Sequence, residues 1–236
     1  MSDLTFNEII KAARVTVETL HDLGYSCCLF GSTACALYGM DYRTPKDIDV
    51  IVITRKEDET IKDEITDHPS NRFFLSQSSQ PNQTYNKVYF KVPRRSRRFE
   101  RKECKVDILV PGTIHIPRIP ARRMVYLDEY PDIPLIPLMT LLLLKLQGWN
   151  ENRSDRRPWK RKKAPKEEED IKELLDLMVN RAMDEEDEWC PSYLKDMAKA
   201  WVKKFVKTCP SYEWRWNRLG FETEDRIYYA ISAWEL

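Results

Sequence analysis

Histidine is scarce in this 236-residue chain: His21, His68 and His115 are the only three, and none stands at metal-ligand spacing from another or from a cysteine. The six cysteines, Cys27, Cys28, Cys35, Cys104, Cys190 and Cys209, contain no C-x-x-C pair. Zinc frameworks are therefore not expected, and buried free thiols of an intracellular chain are. No secretory signal is expected either, since MSDLTFNEIIKAARV has no basic region ahead of an apolar core. The one strongly apolar run, residues 133–146, is broken by Pro134 and Pro137 and falls short of the roughly 20 residues needed to span a bilayer. A soluble chain without membrane contact is expected. Charge of one sign is also lacking: 39 Lys+Arg against 38 Asp+Glu leave a formal net charge of +1, so any preference for a polyanion must come from local patches. What is present is a globular composition, 42% hydrophobic and 11% aromatic, able to bury a substantial core.

Periodicity divides the chain into a sheet-containing front and a helical rear. Residues 7–23 place Ile9, Ile10, Ala13, Val17 and Leu20 at helical spacing, stopped by Gly24. Residues 25–30 read as a short buried strand, Gly31-Ser32 as a tight turn, and residues 33–38 as a small-residue helix ended by Gly39. A loop at 40–46 leads into the β-branched run 47–53, the clearest strand in the chain. A surface helix over 56–67 and strands at 72–75, 86–92 and 103–110 follow. Pro137 opens an apolar helix expected to close near Gly148, and the polar, basic stretch 150–166 reads as a mobile loop. Helices are then expected over 167–183, 193–207, 212–218 and 225–234, with no internal repeat. The fold class implied is α+β, a mixed sheet flanked by helices. The expected division is a core at 1–132 and a helical C-terminal region at 133–236.

Chemistry concentrates at Asp47-Ile48-Asp49, sixteen and eighteen residues beyond Gly31. On a strand, residues i and i+2 share a face, so the two carboxylates project together. Adjacent like charges raise each other's pKa unless a cation offsets them. Mg²⁺ or Mn²⁺ is the simplest such cation, because Mg²⁺ is typically held by one or two carboxylates together with substrate phosphates. Gly31 and Ser32, between a strand and a helix, offer backbone N–H groups and a hydroxyl to phosphate oxygens. Asp107 lies in the apolar run Val106-Asp107-Ile108-Leu109, where a charge has no packing reason to be. It is the candidate third carboxylate for a two-metal site and for deprotonating an acceptor hydroxyl; a plain strand-edge aspartate is the alternative.

Gly31-Ser32, the short helix, Arg43-Thr44-Pro45-Lys46-Asp47-Ile48-Asp49 and the later strand aspartate resemble the DNA polymerase β type nucleotidyltransferase superfamily, and within it the minimal and AbiEii-type toxin enzymes. The resemblance covers residues 25–180. It implies a nucleotidyltransferase-type sheet and transfer of a nucleoside monophosphate from an NTP to an acceptor hydroxyl, releasing pyrophosphate. Asp47, Asp49 and Asp107 would hold the metal and carry the catalysis, and Gly31, Ser32, Arg43 and Thr44 would hold the nucleotide. Lys145, in Leu-Leu-Lys-Leu, and Asp170, in Glu-Asp-Ile-Lys, match the lysine and aspartate that also serve the site in that subgroup. Read without the resemblance, Lys145 could snorkel to water and Asp170 could favour a helix N-terminus.

The acceptor is open between RNA, including tRNA, a protein and a small hydroxylated molecule. Two basic runs favour RNA. Residues 91–105 hold eight Lys/Arg against Glu100 and Glu103, with Arg94, Arg95, Arg97 and Arg98 at their centre, and residues 153–166 form the second. Either run could equally be a solvated loop. Trp159, Trp214 and Trp216 could stack on bases or belong to the core. Residues 160–163, KRKK, read as a nuclear-localisation patch in an otherwise cytoplasmic chain. Two rivals stand beside transfer: a non-catalytic nucleotide-binding or interaction module of the same fold, and a carboxylate-dependent nuclease.

Overall fold

The computed structural model describes residues 4–77, 85–93, 101–180 and 188–223. Helix α1 (Phe6–Asp22) forms as its apolar spacing requires, burying Ile9, Ile10, Ala13, Val17 and Leu20. Its start is fixed by a capping box. Thr5 Oγ1 accepts from the Glu8 N–H at 3.3 Å, and the Thr5 N–H donates to Glu8 Oε2 at 2.8 Å.

Strand β1 (Cys27–Phe30) runs directly into α2 (Gly31–Leu37), and β2 (Asp47–Val52), α3 (Asp58–Thr66), β3 (Phe73–Gln77), β4 (Asn86–Lys91) and β5 (Glu103–Leu109) follow. Two more strands, β6 (Val125–Leu127) and β7 (Tyr130–Leu135), complete a seven-stranded mixed sheet ordered β3-β4-β5-β2-β1-β7-β6. The centre is set by β2, antiparallel to β1 and parallel to β5. Helix α1 packs on β1, β2 and β7, and α3 packs on β3, β4 and β5.

The hairpin β6–β7 is absent from the expected elements because Pro131 and Pro134 interrupt its second strand. Neither proline occupies a paired position; the pairs are Leu127 with Tyr130 and Val125 with Leu135, so the missing N–H groups cost little.

Behind the sheet, α4 (Leu138–Ser154), α5 (Pro158–Arg161), α6 (Ala164–Asn180), α7 (Ser192–Thr208) and α8 (Glu213–Arg218) make up the helical rear. Helix α4 is apolar around most of its circumference at the start, with Leu138 to Leu143, Leu146 and Trp149 all buried. A helix of that kind must be surrounded, and α6, α7 and α2 pack on it. It runs past Gly148, the expected stop: that glycine keeps a helical backbone with no positive φ, and a Cβ there would meet Glu167 only in ordinary contact, 3.6 Å from Oε1. The rear is tied together by a run of ring edges, Trp149 to Phe205 at 5.0 Å, Phe205 to Trp216 at 6.0 Å and Trp216 to Phe221 at 5.5 Å between centroids. Trp216 is therefore core, whereas Trp159 and Trp214 are exposed.

Residues 150–166 are not the loop their composition suggests. They finish α4, turn at Asp155, form α5 and begin α6. Asp155 organises the turn by accepting from the Arg157 N–H at 2.9 Å and pairing with the Arg157 guanidinium at 2.7 Å. Pro158 supplies the first turn of α5. Arg94, Arg95, Arg97 and Arg98, and the helix expected over 225–234, lie outside the described residues.

All six cysteines are free, and all but the partly exposed Cys190 are buried. Burial pushes Cys27 and Cys104 up to about 12 and Cys35 up to about 11, which leaves them protonated packing residues. Among the described residues no helix is long and apolar enough to cross a membrane. The ring sequence on α4, α7 and α8 makes a prediction. Phe205→Ala should cost about 3–5 kcal/mol, read as a fall in thermal midpoint by circular dichroism.

Candidate active site

The register of the central strands brings the three aspartates together. Asp49 pairs with Asp107 on β5 and with Phe30 on β1, while Asp47 pairs with Lys105. Strand alternation turns Ile48, Val50, Val106 and Ile108 into the core, so Asp47, Asp49, Lys105 and Asp107 share the opposite face. Thr33 Oγ1 donates to the Asp47 carbonyl at 2.8 Å and ties the first turn of α2 to the start of β2.

Gly31 has φ +66°, and an added Cβ would lie 2.0 Å from Asp49 Oδ2. The Asp49 carboxyl thus rests directly against the Gly31 backbone. Gly31 and Ser32 are the first residues of α2 rather than a turn ahead of it, and Ser32 is part-exposed beside the cluster described next.

That cluster centres on Asp170, whose side chain is 1% exposed. Arg43 grips it in bidentate fashion, Nε to Oδ1 at 3.0 Å and Nη2 to Oδ2 at 2.7 Å. Lys145 Nζ donates to Oδ2 at 2.7 Å, and the Tyr42 hydroxyl donates to Oδ1. One buried acid therefore gathers the loop before β2, the middle of α4 and the first half of α6. Thr44, the next residue along that loop, is exposed and joins none of these hydrogen bonds. Of the nine residues singled out from the sequence, Asp47, Asp49 and Asp107 converge on one face with Gly31 beside them. Arg43, Lys145 and Asp170 converge next to it with Ser32, and Thr44 stays apart.

Electrostatics separates the two groups. Burial, together with the charges of Asp47 and Asp107, pushes Asp49 up to about 7, with Lys145 and Lys105 acting in the other direction. Asp170 is held below the usual carboxylate range: burial opposes its ionisation, but the Lys145 charge and the hydrogen bonds from Arg43, Lys145 and Tyr42 outweigh it. Arg43 and Lys145 are correspondingly held charged despite burial. The acidic face thus carries surplus negative charge, and two cations shared by one acid leave surplus positive charge next to it.

Two participants were missed. Lys105 Nζ pairs with the Asp107 carboxylate, and the i, i+2 rule that placed Asp47 beside Asp49 would have found it. Tyr42 has no comparable signal in the sequence. Among the described residues no three His, Cys, Asp or Glu side chains stand as a ready metal cluster, and Asp107 is paired with Lys105. Asp47 and Asp49, side by side on this face, are the residues that could hold a divalent ion.

Two predictions follow from this geometry. Gly24→Ala, at φ +81° with open space around it, should cost about 1 kcal/mol of backbone strain. Gly31→Ala adds the collision with Asp49 and should cost about 2–4 kcal/mol, both read by urea denaturation. Asp170→Asn should cost about 3–5 kcal/mol at neutral pH, since it leaves Arg43 and Lys145 buried without their counter-charge. A lowered folded-state pKa contributes stability above the unfolded value, about 3.9 for Asp, that is lost as pH falls through the folded value. Denaturation of both proteins across this range should therefore show the gap between wild type and Asp170→Asn closing below about pH 4.

Comparison with known proteins speaks to the fold and the family. No curated protein matches the sequence. Over 94% of this chain and 97% of the other, the fold superposes on the crystal structure of an antigenic nucleotidyltransferase-like protein from Paracoccidioides brasiliensis, with a TM-score of 0.65 at 14% identity. A candidate nucleotidyltransferase from H. pylori matches over 93% of this chain and 84% of its own, with a TM-score of 0.46 at 14% identity. The family model described as nucleotidyl transferase AbiEii toxin, type IV TA system, matches residues 19–201. With most of its length matched and its aspartates set on the central strands of a mixed sheet, the chain belongs to the AbiEii nucleotidyltransferase toxin family.

Proposed function

We propose that this chain is a working Mg²⁺- or Mn²⁺-dependent nucleotidyltransferase that moves a nucleoside monophosphate from an NTP to an acceptor hydroxyl. The observation that carries the reading is the Asp49 register. One carboxylate stands between Asp107 on β5 and the Gly31 backbone, with Asp47 on the same face, and its pKa is driven up to about 7 by burial among like charges. Purely structural packing has no use for three carboxylates at the centre of a sheet.

In this reading Asp47 and Asp49 would hold the ion, which would supply neutralisation of phosphate charge and activation of the reacting oxygens. Ser32 and the backbone opening α2 meet the phosphates from one side, and the surplus positive charge of Arg43 and Lys145 meets them from the other. Asp170 keeps that pair charged and fixed in place. Asp107, released from Lys105, accepts the proton of the acceptor hydroxyl. A bond forms between the acceptor oxygen and the α-phosphorus, the bond from the α-phosphorus to the bridging oxygen breaks, and its electron pair leaves with pyrophosphate.

RNA, including tRNA, is the acceptor this reading favours. Residues 153–166 form a structured cationic surface in which Arg157, Lys160 and Lys163 lie within 5.4–6.0 Å of the exposed Trp159 ring. The ion pair of Lys105 with Asp107 is the one observation that favours a non-catalytic module. The two are separated by incubating the protein with labelled NTPs, Mg²⁺ and total RNA. Label should enter RNA, and Asp47→Asn or Asp49→Asn should reduce it by roughly a hundredfold or more. Absence of any label transfer that depends on these aspartates would overturn the proposal.

A further inference from the structure

The row of side chains that begins at Asp47 does not end at the carboxylates. Strand register continues it through Lys105 on β5 and Tyr89 on β4 to Phe74 on β3, the edge of the sheet. Neighbouring strands lie about 4.8 Å apart, which sets Phe74 about 14 Å from Asp47 on the same face. Alternation keeps that face open. Phe73, Val88, Phe90 and Val106 are buried in the core, where α3 packs on these strands, so Phe74 and Tyr89 point the other way and are only half-buried.

This face carries flat rings and unneutralised charge together. Phe74 and Tyr89 lie side by side with centroids 5.6 Å apart and planes only 22° from parallel. Arg72 and Lys91, both exposed, stand opposite one another across β3 and β4, and Lys87 is two residues from Tyr89 on the same strand. Among the described residues none of these three cations has a carboxylate partner. Lys91 Nζ donates instead to Asn71 Oδ1 at 2.9 Å and lies 5.9 Å from the Phe74 ring centroid. Beside them is a cavity of about 460 Å³ lined by Phe74, Lys91, Val92, Arg101, Lys102 and Glu103. Its size is in the range that takes a nucleotide-sized group. Lys102 is neutralised by Glu8, Arg101 is exposed and without a carboxylate partner, and Glu103 is the acid that opposes them. Lys105, paired with Asp107, adds nothing to this surplus.

Part-exposed rings on an open sheet, flanked by free cations, suit a single strand of nucleic acid: bases of any identity stack on the rings, and phosphates meet the cations. A duplex, whose bases are already stacked on each other, gains only the second interaction. Position assigns the strand its role. Gly31 and Ser32, given to the nucleotide by the transfer reading, continue from β1, and Trp159 shares a cavity with Phe30 of β1 and with Lys145. Strands β1 and β5 lie on opposite sides of β2, so the β5 side is left for the acceptor. We propose that the open face of β3, β4 and β5 is the platform for a single-stranded RNA acceptor. Phe74 and Tyr89 stack on its bases, Lys87, Lys91 and Arg101 hold its phosphates, and its terminal hydroxyl reaches Asp47 and Asp49 past Lys105. The role of the RNA as acceptor rests on the transfer reading above; its binding does not.

Fluorescence anisotropy with a labelled single-stranded RNA of mixed sequence, and with the same strand in a duplex, tests the platform without NTP or Mg²⁺. Wild type should bind the single strand about tenfold tighter than the duplex. Phe74→Leu and Tyr89→Leu keep an apolar strand residue and remove a ring; each should weaken single-strand binding by about tenfold, with circular dichroism unchanged. Replacing Lys87 and Lys91 together by Gln should lower the slope of log affinity against log salt by about 1.4, as expected for two lost phosphate contacts. Wild type irradiated with RNA carrying 5-iodouridine needs no variant to fold, and mass spectrometry should find the cross-link at Phe74 or Tyr89. Equal binding of duplex and single strand, Leu variants that bind as wild type does, or a cross-link confined to Trp159 would each overturn the platform. Label transfer from NTP to RNA that both Leu variants leave unchanged removes the platform alone. RNA cross-linked at these rings but never labelled leaves the binding surface in place and removes the transfer reading.

Discussion

The carboxyl group of Asp49 lies against the backbone of Gly31, leaving no room for a Cβ, and much of the site's layout descends from that contact. It requires β1 and β2 to be antiparallel neighbours with Phe30 opposite Asp49. It also requires the chain to leave β1 through a positive φ, which glycine alone adopts without strain, so α2 begins at the carboxylate. The hydrogen bond from Thr33 to the Asp47 carbonyl then closes the same corner from the helix side. Parallel pairing of β5 sets Asp107 on the far side of Asp49. A backbone approach this close means that a group held by Asp49 would also lie within reach of the first amides of α2, the geometry on which the proposed joining of a metal half to a phosphate half depends.

The second constraint is charge. Three carboxylates on one face of a sheet are tolerable only with compensation, and the nearest cations are divided. Lys105 answers Asp107 directly, whereas Lys145 is hydrogen-bonded to Asp170 and acts on Asp49 through space. Asp170 is consequently more than a packing residue. By holding Arg43 and Lys145 charged in a buried setting, it keeps surplus positive charge beside the acidic face. It also joins the loop before β2 to α4 and α6, so docking the helical rear and setting the field of the site are one event.

Much of this was legible in the sequence because it rests on short-range rules. Strand alternation placed Asp47 with Asp49, helical spacing placed α1, and the β-branched run 47–53 marked the central strand. Asp107 could be suspected from its apolar neighbours, although its pairing opposite Asp49 depends on a parallel register that no local pattern encodes. What stayed hidden was decided by tertiary context. The prolines of β7 disguised a strand that pairs only at non-proline positions, and Gly148 looked like a helix stop although packing of α4 against its neighbours carries the helix through it. Tyr42 reaches Asp170 across 128 positions, a contact with no sequence signature. The family resemblance singled out Lys145 and Asp170 separately; their hydrogen bond to one another had no sequence signal, and read without the resemblance each had a bland role.

The basic stretch 150–166 shows how composition misleads in a specific way. Its lysines and arginines argue for a solvated loop, but one carboxylate, Asp155, draws in Arg157 and Lys160 while Arg161 donates to the Asp155 and Arg156 carbonyls. The result is a short helix with Trp159 presented on it. Its order matters because of where it stands: α5 borders the cavity that Lys145 and Phe30 open from the candidate site. A flexible cationic loop would supply long-range attraction for a polyanion and little else. A fixed one also holds an aromatic face in a set place beside the candidate site, and a fixed place is what separates positioning a group from merely attracting it.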